Sequence, residues 1–537
     1  MTRFSPKYLI LAAIILLSIL GGVIAVYTTA NGPWGYTDPV VYISTARSLD
    51  RGLGLGYYEA DATFRPITIQ PPFYSIVLGA IGLFGVNLVV AARWLNILAF
   101  VASIFIAGWI FYRYSRAPEL GIVASALMCA FSHMVVMFSS AYSEPLFVLS
   151  FLAGGLCLLA YLEKEKLWLF LASALVIGTI PGTRYAGISM VIAAGLSVLL
   201  LTSGKPRDHI KKAILFTTVA GLPILAWLVW IFFSTAHSVG GRTPSLDLGS
   251  LSAQFQAFRG IFMDTVWKWV PFQSNNMLLR YRLRFVLMGI GLVVIVALAY
   301  MAARRLRKEG VTSARKSGMQ IFAFFGLSSL TFVAILIVTY LFTSPTIDID
   351  NRMLLPLYVG SVMAFYGAFA LWQAAWFQKG WWRILRLLPW LIAATCVAWY
   401  IPQTQEKVNL FHPGDGLTVF RWDRSTMIQA VRDLPADQAV ISNDWELLQL
   451  WTGRPIYGFW NTFPPEPPIQ TIAYGMNQED PIQSVFCEQG AALVILNDFP
   501  TQFRNQVGES SLERLPSLFT ELTVYGSYPD GTIYLCR

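Results

Sequence analysis

The fold class this sequence predicts is an α-helical polytopic membrane protein with a C-terminal mixed α/β domain outside the membrane. Three observations carry that expectation. Apolar residues make up 55% of the 537 and charged residues only 13%, with a mean hydropathy of +0.56, outside the composition of soluble globular chains. The apolar residues fall into about eleven runs, most joined by short loops in which Lys and Arg collect on alternate sides. Net charge also divides: residues 1–401 carry roughly +17 (31 basic against 14 acidic) and residues 402–537 roughly −8 (8 against 16).

Arg3 and Lys7 precede Tyr8 to Tyr27, about twenty apolar residues without a convincing cleavage site, which we read as a retained first span with a cytoplasmic N-terminus. An outward loop over residues 29–87 follows, the longest polar interruption in this half of the chain. In it Asp38-Pro39 opens a helical pattern, with Asp38, Tyr42, Ala46 and Leu49 at spacings of three to four. Gly52 to Gly56 forms a turn; without a preceding strand and a Lys it is no nucleotide-phosphate cradle. Arg65, Gln70 and Pro71-Pro72 lead into an apolar run of about fifteen residues ending at Gly85. As a helix that run spans roughly 22 Å, short of a ~30 Å hydrocarbon core, so it is expected at the membrane interface.

Leu88 to Tyr112, Leu120 to Phe138 and Pro145 to Leu162 are the next expected spans. Leu167 to Pro181 is a short one, broken at Pro181-Gly182 with Arg184 and Tyr185 beside the break, and Ala186 to Leu201 returns. Ala213 to Ala236 leads to a second outward loop, residues 237–284, where Phe255, Phe258, Ile261, Phe262 and Val266 trace an amphipathic surface helix. Phe285 to Ala303, Ile321 to Phe342, Leu354 to Phe377 and Leu387 to Tyr400 complete the membrane domain, residues 1–401. An odd number of spans places the domain of residues 402–537 outside. There, strand-length runs alternate with helix signals: Thr426 to Leu434, Gln438 to Ser442, Glu446 to Leu450, Ala492 to Asn497, Leu522 to Tyr525 and Thr532 to Leu535. The prolines of Trp460 to Pro468 mark a surface loop.

Several chemistries find no support. The basic residues form no face interleaved with aromatics, so nucleic acid is not an expected partner. His133, His209, His237 and His412 have no metal-ligand spacing. No cofactor is certain, and a divalent cation is open but not indicated. Cys129, Cys157 and Cys396 lie in apolar runs as small core residues; whether Cys487 and Cys536 form a disulfide is left open.

Candidate site residues gather on the outward side. Asp38 can cap a helix with Pro39 behind it, act as a general base at a partly desolvated mouth, or do both. Arg65, Arg184 and Arg352 stand where the positive-inside bias makes arginine uncommon; each can snorkel to headgroups or bind a phosphate. Glu144 opens a helix before Pro145 and can complement the macrodipole, pair with one of these arginines, or line the cavity. Tyr42 and Tyr185 are expected beside substrate. Asp348 and Asp350 read as a hydrated turn and His133 as a packing residue.

The order Asp38-x-x-x-Tyr42-x-x-x-Ala46-x-x-Leu49, a Gly-rich turn, Pro71-Pro72-x-x-x-x-x-Leu78, Leu83-Phe84-Gly85 and Ala92-Arg93-x-x-Asn96 resembles membrane-integral GT-C glycosyltransferases. It is most similar to the protein-mannosyltransferase and aminoarabinose-transferase superfamily. Ser143-Glu144-Pro145, Thr183-Arg184-Tyr185 and Arg352-Met353-Leu354-Leu355-Pro356 fall where that family has similar segments. The resemblance implies a GT-C-like fold in a cell membrane, plasma or inner. It also implies transfer of a sugar from a polyprenyl-phosphate donor to a lipid, protein or polysaccharide acceptor at the outer face. Asp38 would act on the acceptor and Arg184 would meet the donor phosphate. Some relatives have Glu before the proline pair; Gln70 stands there here, which counts against a two-carboxylate or metal-assisted mechanism. A transporter or flippase of a lipid-linked glycan, and a silent scaffold, are the competing readings.

Overall fold

In a computed structural model, the structure describes residues 6–235, 242–245, 249–271, 282–308, 318–376, 380–459, 490–507 and 522–535. The expectations for His237, the Trp460 to Pro468 loop, Cys487 and Cys536 lie outside these residues. The chain forms two compact units. The first comprises residues 1–30, 68–74 and 93–413; the second comprises residues 31–67, 75–92 and 414–537.

The first unit is helical. α1 is Pro6–Thr28, and later helices are numbered in chain order: α2 (Thr37–Asp50), α3 (Phe73–Gly82), α4 (Leu88–Tyr114), α5 (Leu120–Ala130), α6 (Ser132–Phe138), α7 (Glu144–Lys164), α8 (Leu167–Thr183), α9 (Ile188–Leu201), α10 (Pro206–Thr235) and α11 (Leu251–Trp267). Further helices are Arg282–Lys308, Gln320–Phe342, Leu355–Ala375 and Leu388–Phe411. Each expected span is helical, but among the described residues seven helices are long and apolar enough to cross a membrane, or eight counting α5 and α6 as one bent span. α8 and α9 have only 17 and 14 residues. α8 also runs through Pro181 to Thr183, so the break lies two residues later than the proline signal suggests.

The expected single span Leu120 to Phe138 is instead bent by 66° at Phe131, whose extended backbone separates α5 from α6. No proline or glycine causes the bend. The Phe131 ring stacks on Tyr358 at 3.8 Å and meets Tyr400 at 5.0 Å, exchanging helical continuity for aromatic packing. A tertiary donor satisfies a carbonyl freed at the break. Thr404 Oγ1 donates to Ala130 O at 2.6 Å, while Tyr358 Oη, at 3.4 Å, is a second donor to Leu127 O, which already accepts the Phe131 N–H.

Small residues let the central helices close in, since lipid supplies no hydrophobic drive for helix association. A Cβ on Gly154 of α7 would stand 2.6 Å from Ile177 of α8. α11 buries Phe258, Phe262 and Val266 and exposes Phe255 and Ile261, as an amphipathic helix should. A short antiparallel pair, β3 (Thr243–Pro244) with β4 (Thr343–Ser344), ties its approach to the end of the Gln320–Phe342 helix. The Leu388–Phe411 helix continues through Pro402, so the change of composition read there precedes the structural boundary at residue 414.

The second unit is assembled from three stretches of chain. Its first stretch holds α2 and an antiparallel hairpin, β1 (Gly56–Tyr58) with β2 (Phe64–Pro66). The Gly-rich turn joins them, with Gly52 and Gly54 at φ +74° and +95°, a backbone few other residues adopt. α3 is ten residues long, roughly 15 Å, and cannot cross a bilayer. The C-terminal part carries a five-stranded mixed sheet, in the order β6-β5-β7-β9-β8. Its strands are β5 (Val440–Ser442), β6 (Tyr457–Gly458), β7 (Ala492–Leu496), β8 (Thr523–Tyr528) and β9 (Gly531–Leu535). β5 lies parallel to β6 and β7, while β9 is antiparallel to β7 and β8. β5 and β7 are buried on both faces, and β7 reads as an unbroken apolar run; β8, at the edge, is mostly exposed. The helices Thr426–Asp433 and Trp445–Thr452 begin at side-chain caps, Ser425 to Ile428 N–H and Asp444 to Leu447 N–H.

Candidate functional site

The most concentrated ionic arrangement in the first unit is built from three helix ends. Glu144 opens α7, Arg184 follows α8, and Arg352 stands just before the Leu355–Ala375 helix. α7 and α8 run antiparallel through a short turn, so the start of one meets the end of the other. Glu144 is 1% exposed, and its Oε1 accepts from both Arg184 Nη1 and Arg352 Nε. Such a carboxylate is stable in the interior only when paired and hydrogen-bonded. Its Oε2 is buried and has no hydrogen-bond partner among the described residues.

The two guanidiniums remain about a fifth exposed, 19% for Arg184 and 22% for Arg352. The Arg352 guanidinium lies 4.0 Å over the Tyr142 ring, and Arg184 Nη2 contacts Met353 Sδ at 3.7 Å. Asn96 holds the turn before Glu144 in place, donating from Nδ2 to Ser140 O and Tyr142 O. Tyr185 is fixed by donating to Thr68 O at 3.0 Å and accepting from Trp227 Nε1 at 3.1 Å. Pairing of Glu144 with one arginine was among the alternatives open in sequence; the fold joins it to both Arg184 and Arg352 and places Tyr185 next to Arg184. A fixed pair of part-exposed guanidiniums is suited to hold an anion of phosphate type.

The second unit contains Asp38, Tyr42 and Arg65. The capping role considered for Asp38 is corrected: α2 starts at Thr37, its N-cap is Tyr36 without a side-chain cap bond, and Asp38 lies inside the first turn. Negative charge is favoured there by the helix dipole. Thr37 donates from Oγ1 to Glu446 Oε2 at 3.1 Å. Burial pushes the Glu446 carboxyl up to about 7; the charges of Asp444 and Asp38 add to the rise and the Thr37 hydroxyl opposes it. Burial likewise raises Asp444 to about 6, against the Leu447 N–H that it accepts. A carboxyl that is part protonated near neutrality can both accept and release a proton.

Tyr42 is buried in α2 at 2% exposure. Arg65 pairs within its own hairpin, with Glu59 Oε2 at 2.7 Å and with Asp61, and is half exposed. That local pairing accounts for its position without a ligand. Asp350 accepts from Met353 N–H at 2.7 Å, the turn role expected of it. His133 packs edge-on to Phe131. Among the described residues no group of three His, Cys, Asp or Glu side chains could hold a metal ion.

Two further features lie outside the residues singled out from sequence. Glu446 opens the run Glu446 to Leu450, and its pairing with Thr37, 409 residues earlier, marks it out. Arg47, Arg51 and Arg432 gather in the fold; in sequence only the spacing of four between Arg47 and Arg51 puts two of them on one helix face.

No protein-family model matches the chain, and no curated protein matches it. Solved structures do match it. One is ArnT from Cupriavidus metallidurans bound to undecaprenyl phosphate: 14% identity, TM-score 0.49, over 97% of each chain. Another is the Archaeoglobus fulgidus oligosaccharyltransferase tethered with an acceptor peptide. It has 11% identity and a TM-score of 0.49, over 99% of this chain and 74% of that one. At such identities no residue role is transferred, and the roles below are argued from this chain's own side chains.

Proposed function

We propose that the chain is a membrane-integral glycosyltransferase moving a sugar from a polyprenyl-phosphate-linked donor to a hydroxyl of a lipid, protein or glycan acceptor. The observation that carries the reading is the convergence of Arg184 and Arg352 on buried Glu144, with each guanidinium side chain about a fifth exposed. The motif order around Asp38 supports the same chemistry. In the reaction the acceptor oxygen attacks the anomeric carbon as the bond from that carbon to the phosphate oxygen breaks. The electron pair stays on the departing polyprenyl phosphate, where oriented guanidiniums stabilise the developing charge. The acceptor's proton passes to Asp38, and direct displacement inverts the anomeric centre. The positive-inside bias supports a cytoplasmic N-terminus, an outward C-terminal domain and chemistry at the outer face of the cell membrane.

The test is transfer from a panel of radiolabelled polyprenyl-phosphate sugars by purified protein, wild type beside Asp38→Asn and Arg184→Gln. The expected result is transfer by wild type alone, with donor still bound by Asp38→Asn and weakened in Arg184→Gln. Undiminished turnover in Asp38→Asn removes the base assignment. Movement of labelled lipid across proteoliposomes without any transfer replaces this reading with a flippase.

A further inference from the structure

A cavity of about 380 Å³ in the second unit is lined by Arg47 and Asp50 of α2, by Arg51 at its C-cap, by Arg432, and by the turn from Gly82 to Val89 that joins α3 to α4. Three guanidiniums around one cavity repel one another, and Arg47 and Arg51 form a like-charge pair one turn apart on the same helix. The helix Trp445–Thr452 offsets part of this by turning its C-terminal carbonyls, the negative end of its dipole, toward them. Arg47 donates to Gln449 O at 3.1 Å and Leu450 O at 2.6 Å, Arg51 to Gly453 O at 2.8 Å, and Arg432 to Trp451 O at 2.7 Å. Of the nearby carboxylates, Asp423 pairs with Arg432 at 3.0 Å, whereas Asp50 makes no ion pair among the described residues. The positive charge is therefore only partly compensated. Burial and the charges of Arg51 and Arg432 pull the Arg47 guanidinium down to about 10, the direction an uncompensated cluster requires.

The residues around the cavity point to the source of the anion. Leu88 and Val89, in its wall, are the first residues of α4, a helix long and apolar enough to span the membrane. Beside them, at the tip of the turn, Leu83 is 71% and Phe84 85% exposed. Two large apolar side chains so exposed next to the start of a span are placed to enter a bilayer, with the guanidiniums at headgroup level. We propose that this cavity binds the phosphate headgroup of an anionic membrane lipid, held by Arg51 and Arg432 while Leu83 and Phe84 lie among the acyl chains. The inference stands whether or not the chain transfers sugar.

The experiment reconstitutes the full-length protein in equal mixtures of phosphatidylcholine and phosphatidylglycerol and counts retained lipids by native mass spectrometry. Phosphatidylglycerol should be retained over phosphatidylcholine. Arg51→Gln should lose that preference by about tenfold, the scale of one charge-assisted hydrogen bond, and Arg51→Lys should keep most of it. A double variant Leu83→Ser, Phe84→Ser, changed only at exposed side chains, should weaken lipid retention and leave titration with inorganic phosphate unchanged. Equal retention of the two lipids, or no effect of Arg51→Gln, overturns the proposal. Inorganic phosphate binding as tightly as the lipid, with the double variant silent, overturns the lipid assignment in favour of a soluble phosphate.

Discussion

Glu144 and Glu446 occupy the same local position, the first turn of a helix, and both are withdrawn from water. Their surroundings differ in sign. Glu144 meets two guanidiniums, from residues 40 and 208 positions further along the chain. Glu446 meets a threonine hydroxyl and the fields of two more carboxylates, Asp444 and Asp38. Local sequence assigns both residues the same favourable interaction with a helix dipole. The counter-charge, brought by distant parts of the chain, decides whether the carboxylate is a fixed anchor or a proton carrier.

The largest test of this contrast neutralises Asp38, whose charge belongs to the acidic group. Asp38→Asn should lower turnover by roughly 10²- to 10⁴-fold with an unchanged melting temperature. If it unfolds the protein instead, Asp38 is an anchor like Glu144 and the distinction fails. Next, Glu144→Gln should destabilise the protein by about 3 kcal/mol, because it strands two part-buried guanidiniums. Chemical unfolding in detergent reads this, and a loss below about 0.5 kcal/mol would show that the arginines are solvated without it. Tyr142→Leu removes the ring under Arg352 and should cost about 1 kcal/mol.

The smallest expected effect is a pH dependence. A carboxyl raised from 4.5 to about 7 on folding binds more protons folded than unfolded between those values. Its contribution to stability is therefore full below pH ~4.5 and lost as the pH rises toward 7, the reverse of an ion-paired acid. Asp444 acts in the same direction up to about 6. Glu446→Gln should remove roughly half of the resulting fall in melting temperature between about pH 5 and 7. An unaltered pH profile would place the titration elsewhere.

Much of this architecture was legible in the sequence because it depends on period and composition. The apolar runs became helices, and Gln438 to Ser442, Ala492 to Asn497 and Thr532 to Leu535 became strands β5, β7 and β9 within a residue or two. Pairing of Glu144 with one of the loop arginines was also open to inspection, since arginine is scarce in the loops that hold Arg184 and Arg352. The bend at Phe131 was not: it carries no breaker residue and depends on Tyr358 and Tyr400, more than two hundred residues away. Nor was the pairing of Arg65, although Glu59 and Asp61 stand close enough in sequence to have suggested a charged hairpin. Tertiary partners overrode the local signal at Phe131, whereas the partners of Arg65 are local.

The three-part composition of the second unit has a consequence for biosynthesis. α2 and α3 leave the ribosome more than three hundred residues ahead of residue 414, where the rest of their unit begins. At a synthesis rate of roughly 5–20 residues per second the delay is tens of seconds. During that interval Arg47 has no Gln449 or Leu450 carbonyl to meet, Thr37 has no Glu446, and the polar face of α2 must wait in water or on a chaperone. A nonsense mutation within the C-terminal part would therefore damage residues 31–67 as well, leaving the Asp38 helix made but never completed.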